Sequence, residues 1–220
     1  MFADRAEAGQ ALVEKLKNLP CLADPAASPL VVALPRGGVP VGFQVARSFA
    51  APLVVMPVAK IGAPGREELA VGALAPGGAL VLNDEVVAYL QLGPGDLEAL
   101  VSRATAKVAH QLEVYGMGNV AALLSGRLVV IVDDGLATGA SMKAALLAVR
   151  QAGPVRVVMA VPVAPPEVLS ALACQADDTV CALCPENMRA VGAWYEDFTQ
   201  TTDAEVAHLL AEARTWCRAN

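Results

Sequence analysis

The chain has 220 residues, of which 55% are apolar and 17% are charged, so it can form one α/β domain with a substantial core and is not intrinsically disordered. Its net charge of −6 argues against broad binding to nucleic acid, which needs a basic surface. No apolar run reaches the roughly 18 residues that span a bilayer, and the acidic start MFADRAEAGQ lacks the core of a secretion signal, so we expect a cytoplasmic protein without a membrane partner.

In the first part of the chain, apolar spacing predicts an amphipathic helix over residues 3–19, ended by a proline. The apolar runs at residues 30–34 and 53–58 predict strands buried on both faces. Between them we expect a turn at residues 35–40 and a helix over residues 39–49.

A long connection follows. Residues 59–78 combine prolines, glycine pairs and mixed charge with weak periodicity, which predicts a long loop carrying short extended pieces. Residues 78–83 then predict a strand, with Asn83 as a cap for a helix over residues 84–90. The longest helix is predicted over residues 96–116.

The second half of the chain alternates short apolar runs with amphipathic stretches. It predicts strands over residues 128–132, 155–163 and 179–183, with helices over residues 139–151 and 166–174. This alternation implies a mostly parallel sheet covered on both faces by helices. A terminal helix is predicted over residues 203–218, with Asp203 as its N-cap.

Cysteine usage favours a reducing compartment, because the count of five is odd and the chain is of medium size. Cys181 and Cys184 form a C-x2-C pair with Cys174 nearby, which is weak evidence for metal because structural zinc needs four ligands. We expect free, mostly buried thiols.

Two adjacent acids, Asp133 and Asp134, follow the predicted strand over residues 128–132. Ligands of open α/β sheets bind beyond the carboxyl ends of strands, and isolated buried charges are costly. The two carboxylates can accept hydrogen bonds from a vicinal diol, or hold Mg²⁺ directly or through water. A solvent-facing turn with incidental acids is the alternative.

The next residues have the composition of a phosphate site. Gly135 and Gly139 allow tight turns, and Thr138 and Ser141 offer hydroxyls. A helix is predicted to begin here, and its N-terminal N–H groups favour an anion. Diol acceptors followed by a phosphate cradle predict a site for a 5-phosphorylated ribose.

The stretch VVIVDDGLATGAS, residues 129–141, closely resembles the phosphoribosyl-pyrophosphate (PRPP) signature of the type I phosphoribosyltransferases. The order of elements over about residues 30–183 is also similar to this family, nearest to a bacterial group whose accepting base is not defined. The resemblance implies a single α/β domain over residues 1–220. Its parallel-sheet core would cover about residues 30–183, with a flexible loop at about 59–78 and a small hood at about 184–202 with the terminal helices.

The resemblance also implies residue roles around PRPP. Asp133 and Asp134 would meet the ribose 2′- and 3′-hydroxyls. The 5′-phosphate would bind Ala137, Thr138, Gly139, Ala140 and Ser141.

The loop ALPRGGVPVG, residues 33–42, offers a fixed cation at Arg36, and Gly37 and Gly38 let backbone amides approach a ligand closely. In the family this loop holds the pyrophosphate and often contains a non-proline cis peptide, so we expect one near Arg36–Gly37. A glycine turn with an exposed arginine is the alternative. Lys60 and Arg66 in the long loop are candidates to close over the pyrophosphate, as flexible loops do in relatives. Lys60 is the better candidate, and Arg66 is equally consistent with an ordinary solvated charge.

The implied activity is Mg²⁺-dependent pentosyl transfer in nucleotide salvage. The 5-phosphoribosyl group of PRPP would move to a nitrogen base and release pyrophosphate. Asp133, Asp134, Arg36 and Lys60 would be the catalytic residues, and the two acids would bind the metal. Family likeness also suggests a homodimer.

The accepting base stays open. Trp194, Tyr195, Glu196 and Asp197 follow the last predicted strand, where an aromatic ring would stack on a base or pack in the hood core. Ala137 stands where hypoxanthine–guanine-type relatives carry an aspartate. The proton acceptor is therefore absent, supplied by Glu196 or Asp197, or unnecessary.

Two other functions compete with the transferase. One is a regulator that binds PRPP without turnover, although no winged helix or basic stripe is evident. The other is a doubly wound protein with a different phosphosugar ligand.

Overall fold

The N-terminal region packs a helix against the body of the protein. The computed structural model describes residues 1–24 and 28–216, without the side chains of residues 67 and 68. Helix α1 (Arg5–Leu16) is capped by Asp4, whose side chain accepts the N–H of Glu7 at 2.8 Å. This helix is shorter than predicted. Pro20 begins a separate short helix, α2 (Pro20–Ala23). Proline is tolerated at a first helical position because a backbone N–H there has no partner within the helix.

A parallel sheet forms the centre. Within the described residues it has five strands in the order β2-β1-β6-β7-β8. Their bounds are β1 (Leu30–Ala33), β2 (Leu53–Val55), β6 (Leu128–Val132), β7 (Arg156–Val163) and β8 (Asp178–Leu183). The register pairs Ala33 with Val132, so β1 and β6 end side by side.

Helices cover both faces of this sheet. Strand side chains alternate between faces, so Val32 and Ile131 pack in one buried cluster and Val31 and Val130 in another. The first cluster includes side chains of α7 (Ala140–Gln151) and α8 (Pro166–Ala173). The second includes α1, α3 (Gly38–Ser48) and α9 (Asp203–Trp216). The predicted α/β architecture is confirmed.

Residues 59–78 are not a long loop, which corrects the prediction. They form most of an antiparallel sheet in the order β3-β4-β5, comprising β3 (Ala59–Ala63), β4 (Arg66–Ala75) and β5 (Ala79–Leu82). Ala59, Ile61 and Ala63 are buried while Lys60 is exposed, the alternation of a half-buried strand. The glycines that suggested a loop include Gly65, which turns the chain between β3 and β4.

This smaller sheet has its own apolar cluster. Ile61 and Val71 pack with Leu100, Ala104 and Val108 of α5 (Pro94–Val114). Between β5 and α5 lies α4 (Asp84–Tyr89), capped by Asn83 as predicted, and α6 (Val120–Leu124) follows α5. Each described helix is too short or too polar to cross a membrane.

The segment that follows β8 contacts the N-terminal residues. Val191–Trp194 is one turn of 3-10 helix, and Tyr195 pairs with Phe2 in an isolated parallel bridge. Thr202, and not Asp203 as predicted, caps α9, because the Thr202 hydroxyl accepts the N–H of Glu205 at 3.2 Å. The Glu205 carboxylate accepts the N–H of Thr202 in return at 2.6 Å, a reciprocal capping box.

Candidate functional site

The two predicted loops meet at the carboxyl ends of β1 and β6. The N–H of Leu34 donates to the carbonyl of Val132 at 2.9 Å, which carries the strand pairing into the loops. A Cβ added to Gly37 would collide with Oδ2 of Asp134, and one added to Gly38 would lie 2.9 Å from the Cα of Asp133. The glycines therefore permit a close contact that a side chain would prevent.

Arg36 sits at the edge of this junction. The Pro35–Arg36 peptide is cis, one bond before the predicted position. Nη1 of Arg36 lies 3.6 Å from Oδ2 of Asp203, whose Oδ1 accepts the hydroxyl of Tyr115 at 2.8 Å. Burial, followed by the hydrogen bond to Asp203, raises the pKa of Tyr115 to about 12. Arg36 thus lies close to the first residue of α9 in a partly exposed ion pair.

The paired acids have different partners. Oδ1 of Asp133 accepts the N–H of Asp134 at 2.9 Å. Burial and then the charge of Asp134 raise the pKa of Asp133 well above its usual range. Burial also raises the pKa of Asp134, and the hydrogen bond from Arg5 opposes this rise.

Arg5 was not predicted from the sequence. Its Nε lies 2.9 Å from Oδ2 of Asp134, a partner 129 residues away, and both side chains are largely buried. No motif or periodicity distinguishes this arginine from other charges in a first helical turn. Only the fold, which brings α1 beside the end of β6, reveals it.

The predicted phosphate loop opens α7. Gly139 has φ 72°, and a Cβ there would lie 2.9 Å from side-chain carbons of Val168 and Leu172. Within the described part of the chain, no side chain caps this helix, whose first turn contains Ala140 and Ser141. The N-terminal N–H groups of α7 therefore suit an anion.

This loop borders a cleft of about 1150 Å³. Lys60 of β3 and Lys143 of α7 line the same cleft, together with Asp84 and Glu85 of α4. Residues 137–141 complete this side, whereas Asp133 and Asp134 are not among the lining residues. The structure thus groups Lys60 with the phosphate loop, and Arg36, Gly37 and Gly38 with the acids. Gly135 and Leu136 connect the two groups.

Tyr195 belongs to an aromatic cluster. It is 5% exposed, and its ring centroid lies 5.6 Å from that of Phe2 and 5.0 Å from that of Phe198. Its hydroxyl donates to the carbonyl of Asp134 at 2.5 Å. This burial gives Tyr195 a packing role and removes its ring from stacking on a base in this conformation.

The other base-binding candidates are more accessible. Trp194 is half-buried, and Glu196 and Asp197 are exposed. Asp197 accepts the N–H of Thr199 at 2.8 Å, and hydrogen bonding from Thr199 lowers the pKa of this carboxyl. A carboxylate with a lowered pKa is a weaker proton acceptor.

The donor set for a metal is incomplete without a ligand. Across residues 1–24 and 28–216, no group of three or more His, Cys, Asp or Glu side chains can hold an ion. Oδ2 of Asp134 already pairs with Arg5. Carboxylate oxygens suit Mg²⁺, so the acids fit an ion whose other ligands are waters and substrate phosphate. Cys21, Cys174, Cys181 and Cys184 are free thiols, but Cys174 and Cys184 are exposed and Cys21 and Cys181 are only partly buried, which corrects the expectation of mostly buried thiols.

Comparison with known proteins gives consistent matches. A family model described as phosphoribosyl transferase domain matches residues 7–176. The Mycobacterium tuberculosis proteins Rv0571c (strain H37Rv) and MT0597 (strain CDC 1551), provisionally named phosphoribosyl transferases, are each 42% identical over 213 residues, 97% of this chain. The chain spans about half of their length, 47%. The crystal structure of TT1426 from Thermus thermophilus matches with 44% identity and a TM-score of 0.78, covering 96% of this chain and 98% of that chain.

Proposed function

Because the chain belongs to the phosphoribosyl transferase domain family, we propose that it transfers the 5-phosphoribosyl group of PRPP to a nitrogen base. The observation that carries this proposal is the contact of Asp133 and Asp134 with Gly37 and Gly38 at one sheet edge. Acceptors for a sugar diol and the backbone of Gly37 are thereby adjacent, and the phosphate loop follows directly in the chain.

The residues divide among the parts of PRPP by their chemistry. Asp133 and Asp134 would accept hydrogen bonds from the ribose 2′- and 3′-hydroxyls. The 5′-phosphate would lie at the N-terminus of α7, against residues 137–141, where Thr138 and Ser141 add hydroxyl groups. Arg36, with the N–H of Gly37, would hold the pyrophosphate, whereas the N–H of Gly38 already donates to the carbonyl of Leu34 at 3.0 Å. Lys60, which lines the cleft beside residues 137–141, would add a positive charge on the pyrophosphate side.

The proposed reaction replaces the bond from C1′ to pyrophosphate with a bond from C1′ to a ring nitrogen. It needs no protein nucleophile, so the protein would act by orientation and by electrostatic stabilisation. The negative charge of the acids favours a ribosyl cation-like transition state, while Arg36 and Lys60 favour the leaving pyrophosphate. Mg²⁺, when bound with the substrate, would neutralise phosphate charge, and Asp133 and Asp134 would hold it, directly or through water.

The base and the proton acceptor complete this proposal. The aspartate of hypoxanthine–guanine-type relatives is replaced here by Ala137, which cannot accept a proton. Glu196 is an exposed carboxylate next to the aromatic cluster and would serve where a base requires deprotonation. Trp194 would contact the ring. A homodimer and a place in nucleotide salvage belong to the same proposal.

A product screen tests the proposal. The protein is incubated with PRPP, Mg²⁺ and each of a panel of purine and pyrimidine bases, and nucleotide and pyrophosphate are measured by mass spectrometry. We expect one base to give equal amounts of both products. Tight PRPP binding without pyrophosphate release from any base would support the regulator instead. Binding of ribose 5-phosphate without PRPP binding would support a different phosphosugar ligand.

A further inference from the structure

The ion pair between Arg5 and Asp134 connects α1 to the acid pair. We propose that Arg5 is a positioning residue, which acts through Asp134 to hold that carboxylate in place for a ribose hydroxyl. This inference rests on the proposed function. It concerns a residue outside the span matched by the family model, which begins at residue 7.

Arg5 is fixed by three separate contacts. Its Nε donates to Oδ2 of Asp134 at 2.9 Å, and its Nη1 donates to the carbonyl of Thr199 at 2.8 Å. Its guanidinium carbon lies 4.0 Å from the ring centroid of Phe198, a cation–π distance. The side chain is 11% exposed, so the guanidinium has little freedom to move.

Asp134 is enclosed by Arg5, Gly37 and Tyr195. Its side chain is 15% exposed, and the backbone of Gly37 packs against Oδ2 so closely that a Cβ would not fit. The hydroxyl of Tyr195 holds its carbonyl at 2.5 Å. Arg5 supplies the positive charge in this arrangement, and Asp133 places a like charge beside it. Without Arg5, Asp134 would be a buried carboxylate next to another acid and would turn toward solvent.

The contacts of Arg5 also link the start of α1 to the segment that precedes α9. Arg5 begins α1, and Thr199 and Phe198 belong to the segment before α9, beyond residue 176 where the family match ends. Arg5 contacts the Asp134 carboxylate directly, and Thr199 and Phe198 reach that carboxylate only through Arg5. The orientation of that carboxylate therefore depends on residues outside the matched span.

Binding of ribose 5-phosphate, measured by isothermal titration calorimetry, tests this inference. We expect Arg5→Gln to weaken binding about tenfold, or about 1.4 kcal/mol, because the Asp134 carboxylate loses its charged hydrogen-bond donor. Arg5→Lys keeps the charge and should restore part of the affinity. Phe198→Leu removes the stacking ring and should weaken binding less, in the same direction.

The matched control is Arg156→Gln. Arg156 makes the same type of pair, from Nε to Oδ2 of Asp178 at 2.7 Å, at the opposite edge of the sheet where β7 and β8 begin. Removing this pair should leave the affinity unchanged. Thermal unfolding of each variant, followed by circular dichroism, separates lost affinity from lost structure.

A double-mutant cycle shows whether Arg5 acts through Asp134. In Asp134→Asn, the change Arg5→Gln should cause no further loss of affinity. Equal losses in both backgrounds, or unchanged or tighter binding by Arg5→Gln and Arg5→Lys, would overturn the inference. If the unaltered protein binds neither ribose 5-phosphate nor PRPP, the proposed function is wrong as well as this inference. The two failures are therefore distinguishable.

Discussion

Gly37 and Asp134 touch across two loops that are far apart in the sequence, and the contact leaves no room for a side chain at residue 37. We expect Gly37→Ala to destabilise the protein by about 1–3 kcal/mol, the usual range for overpacking, and to displace the Asp134 carboxylate. Urea denaturation measures the stability, and calorimetry with PRPP measures the accompanying loss of affinity.

Gly95→Ala is the control for this change. Gly95 lies in the first turn of α5, and a Cβ there would meet no atom within 4 Å. The PRPP affinity of this variant should match that of the unaltered protein, and its stability should be equal or higher by up to about 1 kcal/mol, because alanine favours a helix over glycine. If Gly37→Ala behaves like Gly95→Ala, the junction of the two loops is looser than described.

Lys60 gives a test of the pyrophosphate side. Its side chain is exposed on β3 and lines the cleft, and Lys60→Gln should weaken binding of inorganic pyrophosphate several-fold, while urea denaturation of the variant separates lost affinity from lost structure. Lys17 is an exposed lysine that follows α1 as its C-cap, and Lys17→Gln should leave binding unchanged. Equal affinities for Lys60→Gln and the unaltered protein would remove Lys60 from the site.

The Tyr195 hydroxyl tests whether the aromatic cluster stabilises the loop that carries Asp133 and Asp134. Tyr195→Phe leaves the carbonyl of Asp134 without this donor, and we expect a loss of about 1–2 kcal/mol in the free energy of unfolding. Tyr89→Phe is the matched control, because Tyr89 is 74% exposed. Similar stabilities of the two variants in urea would show that the hydrogen bond contributes nothing.

The raised pKa of Tyr115 predicts that the stability of the protein depends on pH in the alkaline range. Its pKa is raised to about 12 in the folded protein, while an unfolded tyrosine ionises near 10. The folded state therefore holds a proton that the unfolded state releases, and stability falls as pH rises from about 10 to about 12. Tyr115→Phe should lose this part of the fall. An unchanged pH dependence of stability in the variant would contradict the buried hydrogen bond to Asp203.

The central sheet could be predicted because its strands are buried on both faces. A strand in that position is a continuous apolar run, and β6 begins and ends as predicted at Leu128 and Val132. The family was indicated by the resemblance of residues 129–141 to a known signature. These features lie within short segments, where sequence order directly shows what is adjacent.

The smaller sheet and the Arg5 contact could not be predicted for physical reasons. In β3 the buried residues include Ala59 and Ala63, whose small side chains give a weak periodic signal, and Gly65 resembled a loop breaker. Arg5 meets Asp134 only through tertiary packing. A charged residue in a first helical turn has many ordinary explanations, and only the fold selects among them.

The structure of the protein crystallised with PRPP and Mg²⁺ tests the central claim most directly. We expect the ribose hydroxyls within hydrogen-bonding distance of the Asp133 and Asp134 carboxylates, the 5′-phosphate at residues 137–141, and the ion pair of Arg5 intact. PRPP bound elsewhere, or bound here with both carboxylates facing away from the sugar, would contradict the account.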